Sequence, residues 1–280
     1  MKRHFTLLTT LFIVMTTATG WSQKLPKIQG SGILKVTGVT LEEEFNTVLI
    51  DGDLEVELTQ GNKNGYSVES DDNLINAVTF NVENEKLHVY LTHRITKKKK
   101  FNITIKVNDI ERIELKNGAR VKSQNALKGD ELTLIAGKST KYDLDIAHEE
   151  TVNVEMYSDA EGKLKATSKI SEVKLDDRAS LKMYTVLDSI TVQVKSAAKL
   201  ELDGTIQKAT IEIKEDAKIA AKKAAFSEVD INLANDADVI INAKEAITLY
   251  AQDTSVLQLY GDPKIIISGL KNKAKILKKE

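Results

Sequence analysis

Two groups of side chains have the types and spacing to do chemistry. The first is Arg94, Lys97, Lys98, Lys99 and Lys100, which crowd one short segment beginning at His93. Cations this close repel one another unless they face water, so the segment reads as a surface loop between two strands. Its positive field could meet an anionic glycan or lipopolysaccharide, although a four-lysine turn is more often simply a solvated loop. The second group is Asp176-Asp177-Arg178, with Asp159, Asp216, Asp236 and Asp253 at neighbouring turns. Carboxylates stacked in this way could bind calcium, or serve as acid and base in a polysaccharide lyase or glycosidase. Against that reading, Ser196-Ala197 breaks the column and the Gly-rich calcium repeat of other solenoids is missing. Solvated turns account for the aspartates more simply, and no metal site is expected.

Other routes to catalysis have little material. Beyond the first segment the histidines are His88, His93 and His148. His88 and His93 are five apart on or near a strand, which puts them on opposite faces and excludes a simple chelating pair. All three are expected to be ordinary surface residues. No Gly-x-Ser-x-Gly, His-Glu-x-x-His or phosphate loop occurs, so no nucleophile, metallopeptidase or cofactor is implied.

The elements that must carry these groups are set by a repeat. A small residue returns at Ala119, Thr140, Ala160, Ala179, Ala198, Ala217, Ala237, Ser255 and Ala274, at intervals of 18 to 21 residues. In most copies an apolar-x-apolar pair and a polar turn precede it, and another apolar-x-apolar pair follows. Val173-Lys-Leu175-Asp-Asp-Arg-Ala179-Ser-Leu181-Lys-Met183 and Val192-Gln-Val194-Lys-Ser-Ala-Ala198-Lys-Leu200-Glu-Leu202 are two such copies. One copy departs, with Gly162 where an apolar residue is due. The two-fold alternation is that of a strand, and no copy has the three-and-four spacing of a helix. The pattern predicts an all-β parallel β-helix, or β-solenoid, of about nine regular coils over 108–280. The small residue would occupy a corner where backbones pass closely. Val186, Ile206, Phe226 and Ile170 are expected as further inward contacts. An antiparallel sandwich is the competing architecture, but sandwiches rarely keep residue-level register over so many units.

Residues 23–107 lack the repeat but remain strand-like, and they are expected to supply a cap and the first irregular coils. Asp53 to Thr59 and Tyr66 to Ser70 read as one hairpin. Asn81 to Leu91 reads as a second, turning at Glu83 to Glu85, with a short helical turn between Asp71 and Val78. At the other end Lys271, Lys273, Lys275, Lys278 and Lys279 place charge on the last edge, which discourages end-to-end pairing.

Composition bounds the rest. Met1-Lys-Arg-His4, an apolar run to Ala18, and small residues at Gly20 and Ser22 form a signal peptide over 1–22. No second apolar run follows, so the mature chain is expected to be exported with no transmembrane segment, in the periplasm, on the surface or secreted. The chain has no cysteine, which leaves burial and backbone pairing to hold the fold. Removing Lys2 and Arg3 from 40 basic residues leaves 38 against 41 acidic. That interleaved, near-neutral balance argues against nucleic acid as a partner.

The segment Phe45-Asn-Thr-Val-Leu-Ile-Asp-Gly-Asp-Leu-Glu-Val-Glu-Leu-Thr-Gln-Gly61, with Val68 to Ile75, Leu87-His-Val-Tyr-Leu91 and Ile103 to Val107, resembles the putative auto-transporter adhesin head GIN-type domain family. Leu115-Lys-Asn-Gly-Ala119 and the closing Leu259-Tyr-Gly-Asp-Pro263 extend the likeness over about residues 29–278. The resemblance implies an exported bacterial protein, common in Bacteroidetes-like species, with a single-stranded right-handed β-helix and no assigned catalytic residues. The family favours Gly-Ser-Gly or Gly-Ala-Gly corners, whereas most corners here carry Ala among charged residues. The expected function is therefore a non-enzymatic adhesion or surface-binding module of the cell envelope, with polysaccharide or another envelope component as partner.

Overall fold

A computed structural model describes residues 25–280; the expected signal peptide lies outside the described residues. The chain winds into a β-solenoid whose strands stack in parallel. In the regular part each coil is a long, bent strand followed by a tight turn. Ser180–Val194, Lys199–Ile213, Lys218–Leu233 and Asp238–Ala251 are four such strands. The stretch before each bend forms one face and the stretch after it forms the other. Register is residue for residue: Leu181 lies over Leu200 and Leu200 over Ile219 on one face. On the other, Val192 lies over Ile211 and Ile211 over Ile231. These inward columns are buried and make one continuous core.

The recurring small residue sits where the repeat places it. From Ala119 to Ser255 every member is buried. Most of the turns close by a hydrogen bond from the small residue's N–H to the carbonyl three residues earlier, as from Ala179 to Asp176 at 3.1 Å. Most turns also hold one non-glycine residue at positive φ, among them Ser158, Asp177, Ser196, Glu215 and Asn235. Asn, Asp and Ser tolerate that conformation best, which explains the turn composition. Where the corner residue carries a hydroxyl, the turn satisfies it: Thr140 Oγ1 donates to Gly137 O at 2.7 Å and Ser255 Oγ to Gln252 O at 2.7 Å. Corner N–H and C=O groups continue the ladder between coils, as from Lys199 N–H to Ala179 O at 2.8 Å.

Gly162, the break in the repeat, has a partner one coil away. It lies opposite Tyr142 in register, and a Cβ at Gly162 would fall inside the Tyr142 ring. Tyr142 is the one buried tyrosine of this column, and its ring fills both layers while its hydroxyl meets Met156 Sδ at 3.0 Å. Burial pushes the Tyr142 hydroxyl far above its ordinary pKa, so it stays protonated.

Three expectations need correction. Ile206 and Phe226 do point inward, but Val186 and Ile170 are exposed, and Leu187 takes the inward place beside Val186. Register at the bend runs one residue later than the repeat alone implied. Second, His148 is buried rather than on the surface. It occupies the inward side of the bend, opposite Gly129, where a Cβ would collide with its ring.

Third, Glu55–Gln60 and Gly65–Asp71 are not a hairpin. Glu55–Gln60 pairs in parallel with Phe101–Val107 and Arg120–Ser123, while Gly65–Asp71 pairs antiparallel with Leu34–Thr40 and Phe101–Val107. The first coils, moreover, are not stacked in chain order. The coil Thr47–Asp51/Glu55–Gln60 lies between Lys86–Leu91/Phe101–Val107 on one side and Arg112–Lys116/Arg120–Ser123 on the other. The chain starts one coil in, builds the end outward, then steps back over its own first coil. The second hairpin, Val78–Glu83 with Lys86–Leu91, forms as expected, with Asn84 and Glu85 both at positive φ as a two-residue turn requires. A 3-10 helix covers Asp72–Ala77.

A candidate ligand-binding groove

A small parallel sheet, Lys27–Gln29 with Arg94–Lys97, stands beside the first coils. It is held by Arg94 N–H to Pro26 O at 2.8 Å, Gly30 N–H to Lys97 O at 2.8 Å and Thr96 Oγ1 to Ile28 O at 3.0 Å. Between this sheet and the solenoid corner at Asp51 to Glu55 runs a groove of about 1070 Å³. One wall carries Lys27, Arg94, Lys97 and Lys98, and the opposite wall carries Asp51, Asp53 and Glu55. Its floor is aromatic and apolar, with Tyr90, His88, Leu91, Ile95 and Phe101. His88 and Tyr90 alternate outward on one strand, so their rings lie 4.7 Å apart.

The two walls differ in electrostatics. Among the described residues no carboxylate lies within ion-pair distance of Lys27, Arg94, Lys97 or Lys98. Lys98 Nζ instead sits 5.6 Å from the Phe101 ring centre, a cation–π distance. On the acidic wall Asp53 pairs with Arg120 and Asp51 accepts from Asn117 Nδ2 at 2.7 Å. His88 Nε2 is buried without a hydrogen-bond partner.

What fixes the basic loop is a residue that sequence reasoning missed. Asp71 is buried at the end of Gly65–Asp71. Its Oδ2 accepts from the N–H groups of Lys99 at 2.8 Å and Lys100 at 3.3 Å, and its Oδ1 accepts from Gly32 N–H. Burial alone would raise this carboxyl, but those backbone donors outweigh it and hold the pKa below the ordinary value. Gly30 lacks a side chain where one would strike the Asp71 carboxylate. Nothing in the linear order joins Asp71 to Gly30-Ser-Gly32, so the sequence carried no signal for this contact.

The five basic candidates therefore separate. Arg94, Lys97 and Lys98 line the groove. Lys100 turns to Glu69 at 2.8 Å, and Lys99 Nζ lies 3.5 Å from Gly32 O.

The aspartate turns are built into the fold. Asp177 Oδ2 accepts from Ser158 N–H at 3.0 Å, capping the turn of the preceding coil. Asp159 does the same for Ser139, at 2.7 Å from its N–H and 2.9 Å from its Oγ, and these bonds depress its pKa. Asp176 is pushed up by burial, yet Lys195 at 2.8 Å, Ser196 Oγ at 2.8 Å and Asp177 N–H at 2.7 Å hold it below its ordinary value. Arg178, whose charge helps lower the Asp159 pKa, lines with Asp159 a second groove of about 940 Å³. There Arg120 and Lys141 do stack in register, but each has a carboxylate of its own, Asp53 and Glu161. Among the described residues no group of three His, Cys, Asp or Glu side chains is placed to hold a metal ion.

Comparison with known proteins gives one family and several structures of similar fold. The family model described as "Putative auto-transporter adhesin, head GIN domain" matches residues 44–187 and 163–263. A structure described as a putative adhesin from Parabacteroides merdae is 17% identical and superposes with a TM-score of 0.58, covering 91% of this chain and 100% of its own. One from Parabacteroides distasonis, described as a putative lipid binding protein, is 15% identical with a TM-score of 0.64, over 91% and 100% of the two chains. Another putative adhesin from that species is 14% identical with a TM-score of 0.64, over 90% and 100%. At such identities the likeness is one of fold. No curated protein sequence matches the chain.

Proposed function

The chain belongs to the putative auto-transporter adhesin, head GIN domain family, and from that premise we propose that it is a non-catalytic adhesion module that holds acidic polysaccharide in the groove beside Tyr90. The observation that carries this reading is the unpaired wall of Arg94, Lys97 and Lys98, facing an aromatic floor and held by the buried Asp71. An acidic glycan offers carboxylate or sulfate groups to that wall, and guanidinium is the better geometric match to either. Tyr90 and His88 offer flat apolar surface to a sugar ring, while Asp51 and Glu55 accept from hydroxyls.

The aspartates that an enzyme would need are engaged in turn-to-turn bonds, which favours binding over cleavage. The signal peptide expected over residues 1–22 supports export, with the cell envelope as the site of action.

The test is retention of the purified chain on acidic polysaccharide, neutral polysaccharide and anionic vesicles, at low and high salt. The acidic polysaccharide should retain it, less so at high salt, because exposed charges are screened. The triple variant Arg94→Ala, Lys97→Ala, Lys98→Ala should lose retention while keeping its thermal unfolding midpoint. Retention unchanged in that variant would sink the assignment to this groove. Shortening of the polysaccharide that vanishes in Asp177→Ala would instead establish the enzyme reading.

A further inference from the structure

The last coil breaks the rule that inward columns are buried. Ile265, Ile267 and Leu270 continue the columns of Ile247, Leu249 and Ala251. Those three are at most 1% exposed, whereas Ile265, Ile267 and Leu270 are 42%, 53% and 48% exposed. Outward Ile266 and Leu277 add 44% and 40%. The strands Lys264–Leu270 and Lys275–Lys278 each pair on one side only, with Asp238–Ala251 and Val256–Tyr260. This end therefore offers apolar side chains together with unpaired backbone donors and acceptors, which is a template for another strand.

The opposite end offers a matching surface. Leu34–Thr40 pairs only with Gly65–Asp71, and Val78–Glu83 only with Lys86–Leu91. Leu34–Thr40 is the edge of the face to which Lys275–Lys278 belongs, and Val78–Glu83 is the edge of the face to which Lys264–Leu270 belongs. On Leu34–Thr40 the apolar residues Leu34, Val36 and Val39 are exposed, at 43%, 67% and 38%. Charge is complementary as well. Residues 264–280 hold six lysines and one glutamate, while exposed Glu42, Glu43, Glu44, Asp72 and Glu83 surround the opposite edge strands, with Lys35 the one opposing charge on them.

We propose that the chain associates with a second copy of itself head to tail, the open lysine-rich coil at 264–278 receiving the acidic edge formed by Leu34–Thr40 and its neighbours. The sequence suggests that these lysines discourage end-to-end pairing; in this arrangement they oppose only two like ends and attract the unlike end. Such a contact uses different surfaces on the two copies, so it does not close on itself and builds a stiff rod in which the β-ladder runs on. Repeated copies would display the glycan groove at regular intervals, and binding to a polymer would gain from multivalency.

The experiment is sedimentation velocity of the full chain across a wide concentration range, with two surface variants. Val36→Lys with Val39→Lys blocks the head, and Ile266→Lys with Ile267→Lys blocks the tail. All four positions are exposed, and circular dichroism melts verify folding. The unmodified chain should grow with concentration to species beyond two copies. Each variant alone should sediment as a monomer, and an equal mixture should stop at a two-copy species, because one free head and one free tail remain. A monomeric unmodified chain at every concentration overturns the proposal. So does dimerisation of the head-blocked variant alone, which would show tail-to-tail pairing, and so does a tail that binds vesicles but no second copy.

Discussion

The two ends of this solenoid solve the same problem differently. At the first end the core is closed by Phe45, Leu74, Ala77 and Val78, all buried, and by the stacked rings of Tyr66 and Phe80 with centres 3.7 Å apart. At the last end Ile267 stands half in solvent although Leu249, directly beneath it, is buried. Both residues are branched aliphatics at equivalent positions of the repeat. The difference teaches that in a solenoid burial belongs to the neighbouring coil and not to the residue's own segment. A coil with one neighbour is half a core.

The contrast can be broken most directly by truncation. Leu249→Ala and Leu74→Ala should each destabilise by about 2–5 kcal/mol, since a buried aliphatic is replaced by a cavity, while Ile267→Ala should cost less than about 1 kcal/mol. Urea midpoints test this, and equal losses at 249 and 267 would mean that the last coil is covered in solution. A smaller effect is expected at the corners. Ala198→Leu should cost about 1–3 kcal/mol by overpacking, whereas Ala274→Leu, at a half-buried corner, should be close to neutral. Similar midpoints for the two would contradict close backbone approach at the inner corners.

Acid should act in two stages. Burial depresses the His148 pKa, outweighing the opposing influence of Asp109, the Glu131 backbone and Asp130. A base whose folded pKa is lowered is stabilised in its neutral form, so its contribution is full above the unfolded value of about 6.5 and declines as pH falls through it. His148→Leu should therefore flatten the loss of thermal stability as pH falls below about 6.5. Asp159, Asp176 and Glu114 have depressed folded pKa values, so their contribution is present above about pH 4 and is lost as pH falls through the folded values. That second stage should persist in His148→Leu. The smallest effect is expected at the surface: Lys141→Ala breaks an exposed pair with Glu161 and should shift stability by no more than about 0.5 kcal/mol.

Much of the regular part was legible from the residues. Small corner residues, two-fold alternation and polar turns each name a local geometry, and together they gave period, strand faces and register from Ala119 to Ser255. The bend was less legible, because a bent strand continues its alternation through a change of direction. Val186 and Leu187 are both apolar, and only the neighbouring coil decides which one turns inward. His148 was misread for a related reason: a polar residue at a bend looks solvated until Gly129 opens a space for it one coil away.

The candidate site was legible as a cluster of charge and illegible as a groove. Five cations in one segment read as a basic loop, but Arg94–Lys97 is a strand paired with Lys27–Gln29, and only Arg94, Lys97 and Lys98 line the cavity. What separates them from Lys99 and Lys100 is Asp71, 28 residues before Lys99, and its effect exists only once Gly65–Asp71 has paired beside Phe101–Val107.

By itself, then, the sequence determined the things that depend on nearest neighbours along the chain: strand periodicity, turn chemistry, the corner column and the lack of cysteine cross-links. Tertiary structure decided the things that depend on which coil lies next. It placed Thr47–Gln60 between two later segments, paired Tyr142 with Gly162, turned Asp177 from a candidate acid into a turn cap and left Ile267 open beside a buried Leu249. The physical reason is that a side chain's environment in a stacked fold comes from residues about one repeat away or more, and linear order does not say which of them it will meet.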